Sequence, residues 1–114
     1  DVDYLVRTIV ARRLPKGRLF SLMCDTDSEV RRTVAQRLPA ASLGLMQFDK
    51  DESVRLAIVE RMDADQAVTM LEDADWRVRL TAALKVPLEA LPELSNDKDE
   101  EVRAAVRLRL ESNE

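Results

Sequence analysis

Histidine is absent from this chain, and cysteine occurs once, at Cys24. The first absence removes the commonest general base, any Ser-His-Asp triad and most zinc sites. The second rules out an internal disulfide and makes a cytoplasmic setting the expectation. Glycine occurs only twice, at Gly17 and Gly44, too few for the loops that cradle phosphates or dinucleotides. Aromatic residues make up 4% of the chain, yet 46% of it is hydrophobic, which excludes simple disorder. No apolar run approaches the roughly 18 residues of a membrane span, and no signal peptide is visible. The chain opens on Asp rather than Met, so a piece of a longer protein is expected.

What the chain has instead is repetition. A Val-Arg pair recurs every 24 residues, at Val6-Arg7, Val30-Arg31, Val54-Arg55, Val78-Arg79 and Val102-Arg103. Aspartates recur in step, at Asp1/Asp3, Asp25/Asp27, Asp49/Asp51, Asp73/Asp75 and Asp97/Asp99. Such self-similarity marks a solenoid, whose units each cover a neighbour's apolar face. The expected organisation is one repeat domain over 1–114, with repeats 1–24, 25–48, 49–72 and 73–96 and a partial copy at 97–114.

Within one repeat, Asp25 reads as an N-cap, and Asp27 adds an acid in the first turn, where the helix dipole favours it. Asp49 with Glu52 and Asp97 with Glu100 fit a capping-box variant. Val30, Val34 and Leu38 lie at i, i+4 and i+8, the stripe of an amphipathic α-helix about three turns long. Pro39 ends it, as Pro15 and Pro87 do in their copies; Asp63 and Glu111 stand there otherwise, predicting blunter helix ends. The shorter segment that follows has apolar pairs at i, i+3: Leu19/Leu22, Leu43/Met46, Ala67/Met70 and Leu91/Leu94. Gly44 and Pro92 share a column inside it. A turn or two of 3-10 helix suits that spacing better than a second α-helix.

The run DSEVRRTVAQRLP, with its copies DESVRLAIVERM and DEEVRAAVRLRL, resembles the leucine-rich repeat variant family. The resemblance covers the whole chain. It implies a bacterial protein with an all-α fold: a right-handed superhelical solenoid of alternating α- and 3-10 helices. The family's better-known arrangement sets a cysteine-rich iron–sulfur domain ahead of the repeats. Cys24 alone cannot build a four-thiolate cluster, so no cofactor is expected in these residues. The chain could serve as accessory arm to such a cluster domain only if that domain lies outside it.

Repeated charges have structural explanations that compete with functional ones. The Asp columns read as caps rather than calcium ligands, since their spacing does not continue into an EF-hand loop. Each Arg of the Val-Arg pair follows an Asp by four residues, a favourable helical order worth about 0.2–0.5 kcal/mol. Stacked units would also let each arginine reach the next unit's aspartate. A second basic column, Arg13, Arg37, Arg61, Lys85 and Arg109, suits helix C-termini. Cys24 reads as a small inert residue rather than a nucleophile.

Two surfaces depart from the pattern. The columns holding Thr8, Arg12, Ser28, Arg32 and Gln36 should face solvent, yet the fourth copy places Trp76, Leu80 and Leu84 there, with Leu56 and Leu108 in the same columns of other copies. That strip is a candidate partner-binding site, tryptophan being enriched among interface anchors. The extra basic residues Arg12, Lys16, Arg18 and Arg32 form the alternative, an anionic-ligand surface. The net charge of −4 argues against a general nucleic-acid binder, although residues 1–37 carry eight Lys/Arg against five Asp/Glu. Function is therefore expected to be a non-catalytic scaffold for protein–protein interaction, a monomer or a weak dimer with no membrane partner. The alternative is a nucleic-acid-binding solenoid using its basic first repeats.

Overall fold

A computed structural model describes residues 2–112, so the expectation for Asp1 lies outside the described residues. The chain gathers into two compact units, Asp1–Arg61 and Met62–Glu114, taken here in turn. The division falls beside Asp63, inside the third repeat rather than at a repeat border. Among the described residues every regular element is helical.

The first unit runs α1 (Val2–Arg13), η1 (Lys16–Leu22), α2 (Ser28–Arg37), η2 (Ala40–Met46) and α3 (Glu52–Arg61), with η denoting 3-10 helix. The α-helices pack side by side in sequence order, and each η segment packs against the α-helix that follows it. Val30, Val34 and Leu38 of the predicted stripe are fully buried with Leu43 and Val54. Each such side chain contributes roughly 1.5–3 kcal/mol of burial. The first copy breaks the rule. Val6, in the same column as Val30, is 59% exposed because no helix precedes α1 in the described unit.

The second unit runs α4 (Ala64–Ala67), η3 (Val68–Met70), α5 (Trp76–Ala83), η4 (Leu88–Leu94) and α6 (Glu100–Glu111). α5 packs on α6, and η4 packs on α6, repeating the arrangement of the first unit. Its core is Met70, Leu71, Val78, Ala82, Val86, Leu91 and Val102.

Helix starts and stops follow local chemistry, with one correction. The N-caps are the second aspartates, not the first. The side chains of Asp27, Asp75 and Asp99 accept the backbone N–H of Glu29, Arg77 and Glu101 at 2.8, 2.8 and 2.9 Å. Asp51 does the same for Ser53 at 2.8 Å. Glu52 and Glu100 are therefore first-turn residues beside the cap, and neither closes a capping box with Asp49 or Asp97.

Pro15, Pro39 and Pro87 each stop an α-helix and start an η segment. Their φ of −56°, −56° and −59° suits the first position, and the carbonyl accepts from three residues on. Where Asp63 replaces proline, the segment opens as a short α-turn instead. Asp63 and Gln66 close a reciprocal capping box there, at 2.8 and 2.9 Å, an element the sequence analysis did not anticipate.

Candidate functional site

The repeated charges are placed in the joints between repeats. Asp25, Asp49, Asp73 and Asp97 sit just ahead of the caps, and each accepts the backbone N–H of the residue two along, at 2.9 Å. Asp25, Asp49 and Asp97 also receive an arginine from the preceding repeat. Arg7 Nε donates to Asp25 at 2.8 Å, Arg31 Nε to Asp49 at 2.9 Å and Arg79 Nε to Asp97 at 2.9 Å. Arg31 and Arg79 add a second bond through Nη2, at 3.3 and 3.1 Å, making the fork geometry that suits guanidinium and carboxylate.

The Nη1 atoms of Arg31, Arg55, Arg79 and Arg103 meet the carbonyls of Asp25, Asp49, Asp73 and Asp97 of their own loops, at 2.6–2.8 Å. For Arg31 and Arg79 the ion pair thus runs to the next repeat, not to Asp27 or Asp75 four residues back. The reason is that Asp27 and Asp75 already serve the helix N–H groups.

The second basic column is displaced in the same sense. Arg37 Nη1 donates to the carbonyls of Ala11 and Leu14, at 2.7 and 2.6 Å. Arg61 reaches Ala35 O at 2.8 Å, Lys85 reaches Met62 O at 3.0 Å, and Arg109 reaches Ala83 O and Val86 O at 2.9 and 2.6 Å. Arg37, Arg61 and Arg109 each cap the C-terminal end of the α-helix of the preceding repeat, not of their own. Free carbonyls gather there, and a positive charge also suits the dipole. Both columns are therefore mortar between repeats.

Three carboxyls titrate below the ordinary value of 3.8. Asp51 is lowered first by the Ser53 hydroxyl and then by the Ser53 N–H. For Asp75 the leading cause is the hydrogen bond from Arg77. At Asp97 burial pushes upward, and the Arg79 hydrogen bond, the Asp99 N–H and the Arg79 charge together outweigh it.

The apolar strip survives in part. Trp76 and Leu84 on α5 are 38% and 57% exposed, and Leu108 on α6, in the column of Leu84, is 66% exposed. Leu80 is half-buried, as is Leu56, which belongs to the first unit. Thr8 corrects the expectation that its column faces water. It is buried, and its hydroxyl donates to Tyr4 O at 2.8 Å. Of the basic group, Arg12, Lys16 and Arg18 are exposed, while Arg32 is drawn to Glu29 at 3.0 Å.

Cys24 is exposed and lines an open groove of about 410 Å³ with Met23, Leu45, Phe48 and the Arg31–Asp49 pair. Exposed apolar residues on α1, Leu5, Val6, Ile9 and Val10, escaped the sequence analysis. Reading Leu5 and Ile9 down their columns, against polar and small counterparts, would have revealed them. Among the described residues, no group of three or more Cys, Asp or Glu is placed to hold a metal ion, and no helix is long and apolar enough to cross a membrane.

Units that pair one capped α-helix with a proline-started 3-10 segment, joined by arginine–aspartate forks, define an all-α repeat protein. No protein-family model matches the chain, and no curated protein does. A solved structure described as a leucine-rich repeat variant with a novel repetitive structural motif matches it with a TM-score of 0.87 at 48% identity. The match takes in 94% of this chain and 46% of that one, so the chain spans just under half the length of its solved relative. The chain belongs to the leucine-rich repeat variants.

Proposed function

We propose that the chain is a non-catalytic scaffold whose second unit docks a protein partner on Trp76, Leu80, Leu84 and Leu108. The observation carrying this reading is the exposure of Trp76 and Leu84 along one helix, with exposed Leu108 in the column of Leu84. In the other copies that first column holds Tyr4, Ser28, Glu52 and Glu100, so the tryptophan is a local departure that stacking does not need. An aromatic flanked by aliphatic side chains is the usual make-up of an interface anchor.

Charge narrows the partner. The second unit carries seven Lys/Arg against thirteen Asp/Glu, a net of −6. The complementary ligand is an apolar segment flanked by basic residues, steered by attraction and held by the apolar strip.

The test is affinity capture with wild type, Trp76→Ala and Leu84→Ser, followed by direct calorimetric titration of each with the purified partner. A partner bound by wild type and lost from both variants, with folding unchanged, supports the reading. Equal binding by all three removes it. An anion-binding role would instead use Arg12, Lys16 and Arg18, and retention of a labelled oligonucleotide at low salt, lost on their replacement, would favour it.

A further inference from the structure

The 3-10 side of the first unit carries an apolar surface that stacking does not use. Leu45 in η2 and Phe48 just after it are 61% and 85% exposed. The column of Leu45 elsewhere holds Ser21, Thr69 and Glu93, and that of Phe48 holds Cys24, Glu72 and Asn96. All six of these counterparts are exposed as well. An adjoining repeat therefore leaves these two columns in water. Indeed α2 packs on both α1 and α3, yet Leu45 and Phe48 stay open. Together with Met23 and Cys24 they line one groove of about 410 Å³. That volume lies within the range of ligand pockets, about 300–1,000 Å³.

The charges around this groove point to an acidic ligand. Asp49 on its wall takes the Arg31 fork at 2.9 and 3.3 Å and the Asp51 N–H at 2.9 Å. Asp25 is held by Arg7 at 2.8 Å and by the Asp27 N–H at 2.9 Å. Lys50, also on the wall, is exposed and forms no ion pair among the described residues. The 3-10 stretches agree with it. Residues 16–24 hold Lys16 and Arg18, residues 40–48 hold no charge, and neither stretch has an acid. Their counterparts in the second unit are reversed. Residues 64–72 carry Asp65 and Glu72, residues 88–96 carry Glu89 and Glu93, and neither has a base. The apolar positions themselves turn acidic there, Phe48 giving way to Glu72 and Leu45 to Glu93.

We infer that this groove docks a protein segment in which an aromatic or leucine side chain stands beside acidic residues. The apolar side chain enters between Met23, Leu45 and Phe48, and a neighbouring carboxylate meets Lys50. The flexible thioether of Met23 lets the wall adapt to either shape. A concave apolar wall suits a single side chain better than a flat lipid surface. The chain's net charge of −4 also opposes adsorption to anionic lipid and to nucleic acid. A short segment instead feels chiefly the charges within about 8–10 Å, and the unpaired one on this wall is positive. The site prefers the opposite charge to the Trp76 strip, and its test is independent of that reading.

The probe is a labelled peptide with phenylalanine and leucine set between pairs of glutamates, its binding to the whole chain read by fluorescence polarisation. It should bind about tenfold more tightly than a counterpart with lysine for each glutamate. Alanine in place of the peptide's phenylalanine and leucine should abolish binding. Phe48→Ser and Leu45→Ser should each weaken the acidic peptide about tenfold. Circular dichroism should be unchanged, since both side chains are already exposed. Lys50→Glu should turn the preference toward the lysine peptide, and Trp76→Ala should change nothing. Cys24, the chain's single cysteine, reports the location: bound peptide should slow its alkylation by iodoacetamide in step with occupancy. No binding of the acidic peptide at about 1 mM chain overturns the inference. So does binding indifferent to Phe48→Ser and Lys50→Glu, or an alkylation rate that the peptide leaves unchanged. Oligothymidylate, or vesicles of phosphatidylcholine and phosphatidylserine in equal parts, bound through Phe48 while the peptide is ignored, would overturn it in favour of a nucleic acid or a lipid surface.

Discussion

Arg79 Nε donates to Asp97 Oδ2 at 2.9 Å across 18 residues of sequence, and both side chains are about 6% exposed. Arg31 makes the same bond to Asp49 two repeats earlier, at the same length and nearly the same burial. This fork, built from the same columns in both places, is the joint that fixes how one repeat meets the next. It is bidentate, desolvated and backed by the arginine's third bond to its own loop carbonyl.

Breaking one partner of that fork should be expensive. Arg79→Ala leaves Asp97 buried and uncompensated, and about 3 kcal/mol or more of stability should be lost. Arg79→Lys should rescue little, because an ammonium cannot supply the fork. Urea unfolding of both variants decides it. A loss below about 1 kcal/mol would place the pair with ordinary surface bridges.

The displaced caps make a second expectation. Arg109→Ala removes two charged hydrogen bonds to the carbonyls of Ala83 and Val86, so the cost should fall near 1.5–3 kcal/mol. Amide exchange locates the effect. Deprotection should appear at the C-terminal end of α5 as well as in α6, because the side chain serves the neighbouring helix. Loss confined to α6 would contradict that placement.

The N-cap correction is testable by comparison within one repeat. Asp99→Ala should cost about 1 kcal/mol through the lost bonds to Glu101 and Val102. Asp99→Ser should recover most of it, since the hydroxyl can accept the same N–H. Asp97→Ser should not recover the Asp97→Ala loss, because that site needs a charge for Arg79. Matching rescue at both positions would mean the two aspartates do the same job.

Acid should weaken the fold in a set direction. Asp51, Asp75 and Asp97 are held below the ordinary 3.8, so the folded chain binds their protons less readily than the unfolded one. Their stabilisation is complete above that ordinary value and disappears as pH falls through the lower folded values. Thermal melts should therefore give a Tm that is level near neutrality and drops below about pH 4. In Asp97→Asn the wild-type drop should be shallower. A Tm insensitive to acid would mean that these pairs add nothing.

Much of the joint was legible as pattern without being legible as contact. The Val30, Val34 and Leu38 stripe, the proline stops and the 3-10 segments follow from spacing and from the missing N–H of proline. Asp27 and Asp25 could not be told apart that way. Both are good caps, and the choice depends on which carboxylate the arginine of the preceding repeat can reach. The direction of Arg37 was equally hidden: its own helix end and the one before it both offer free carbonyls. In the proposed docking strip, Trp76 stood out as a departure from its column, but only coordinates separate exposed Leu84 from half-buried Leu80. Asp63 reads in sequence as a missing proline. In three dimensions it gains Gln66 and starts a short α-turn.

By itself the sequence determined the repeat, its helix types and the residues that punctuate them, because periodicity, capping and proline act over a few neighbouring positions. Tertiary structure alone decided which charge meets which and how deeply each member of a column is buried. Those outcomes depend on groups 18 to 26 residues apart being brought within hydrogen-bond reach, and on whether a neighbour is there to exclude water.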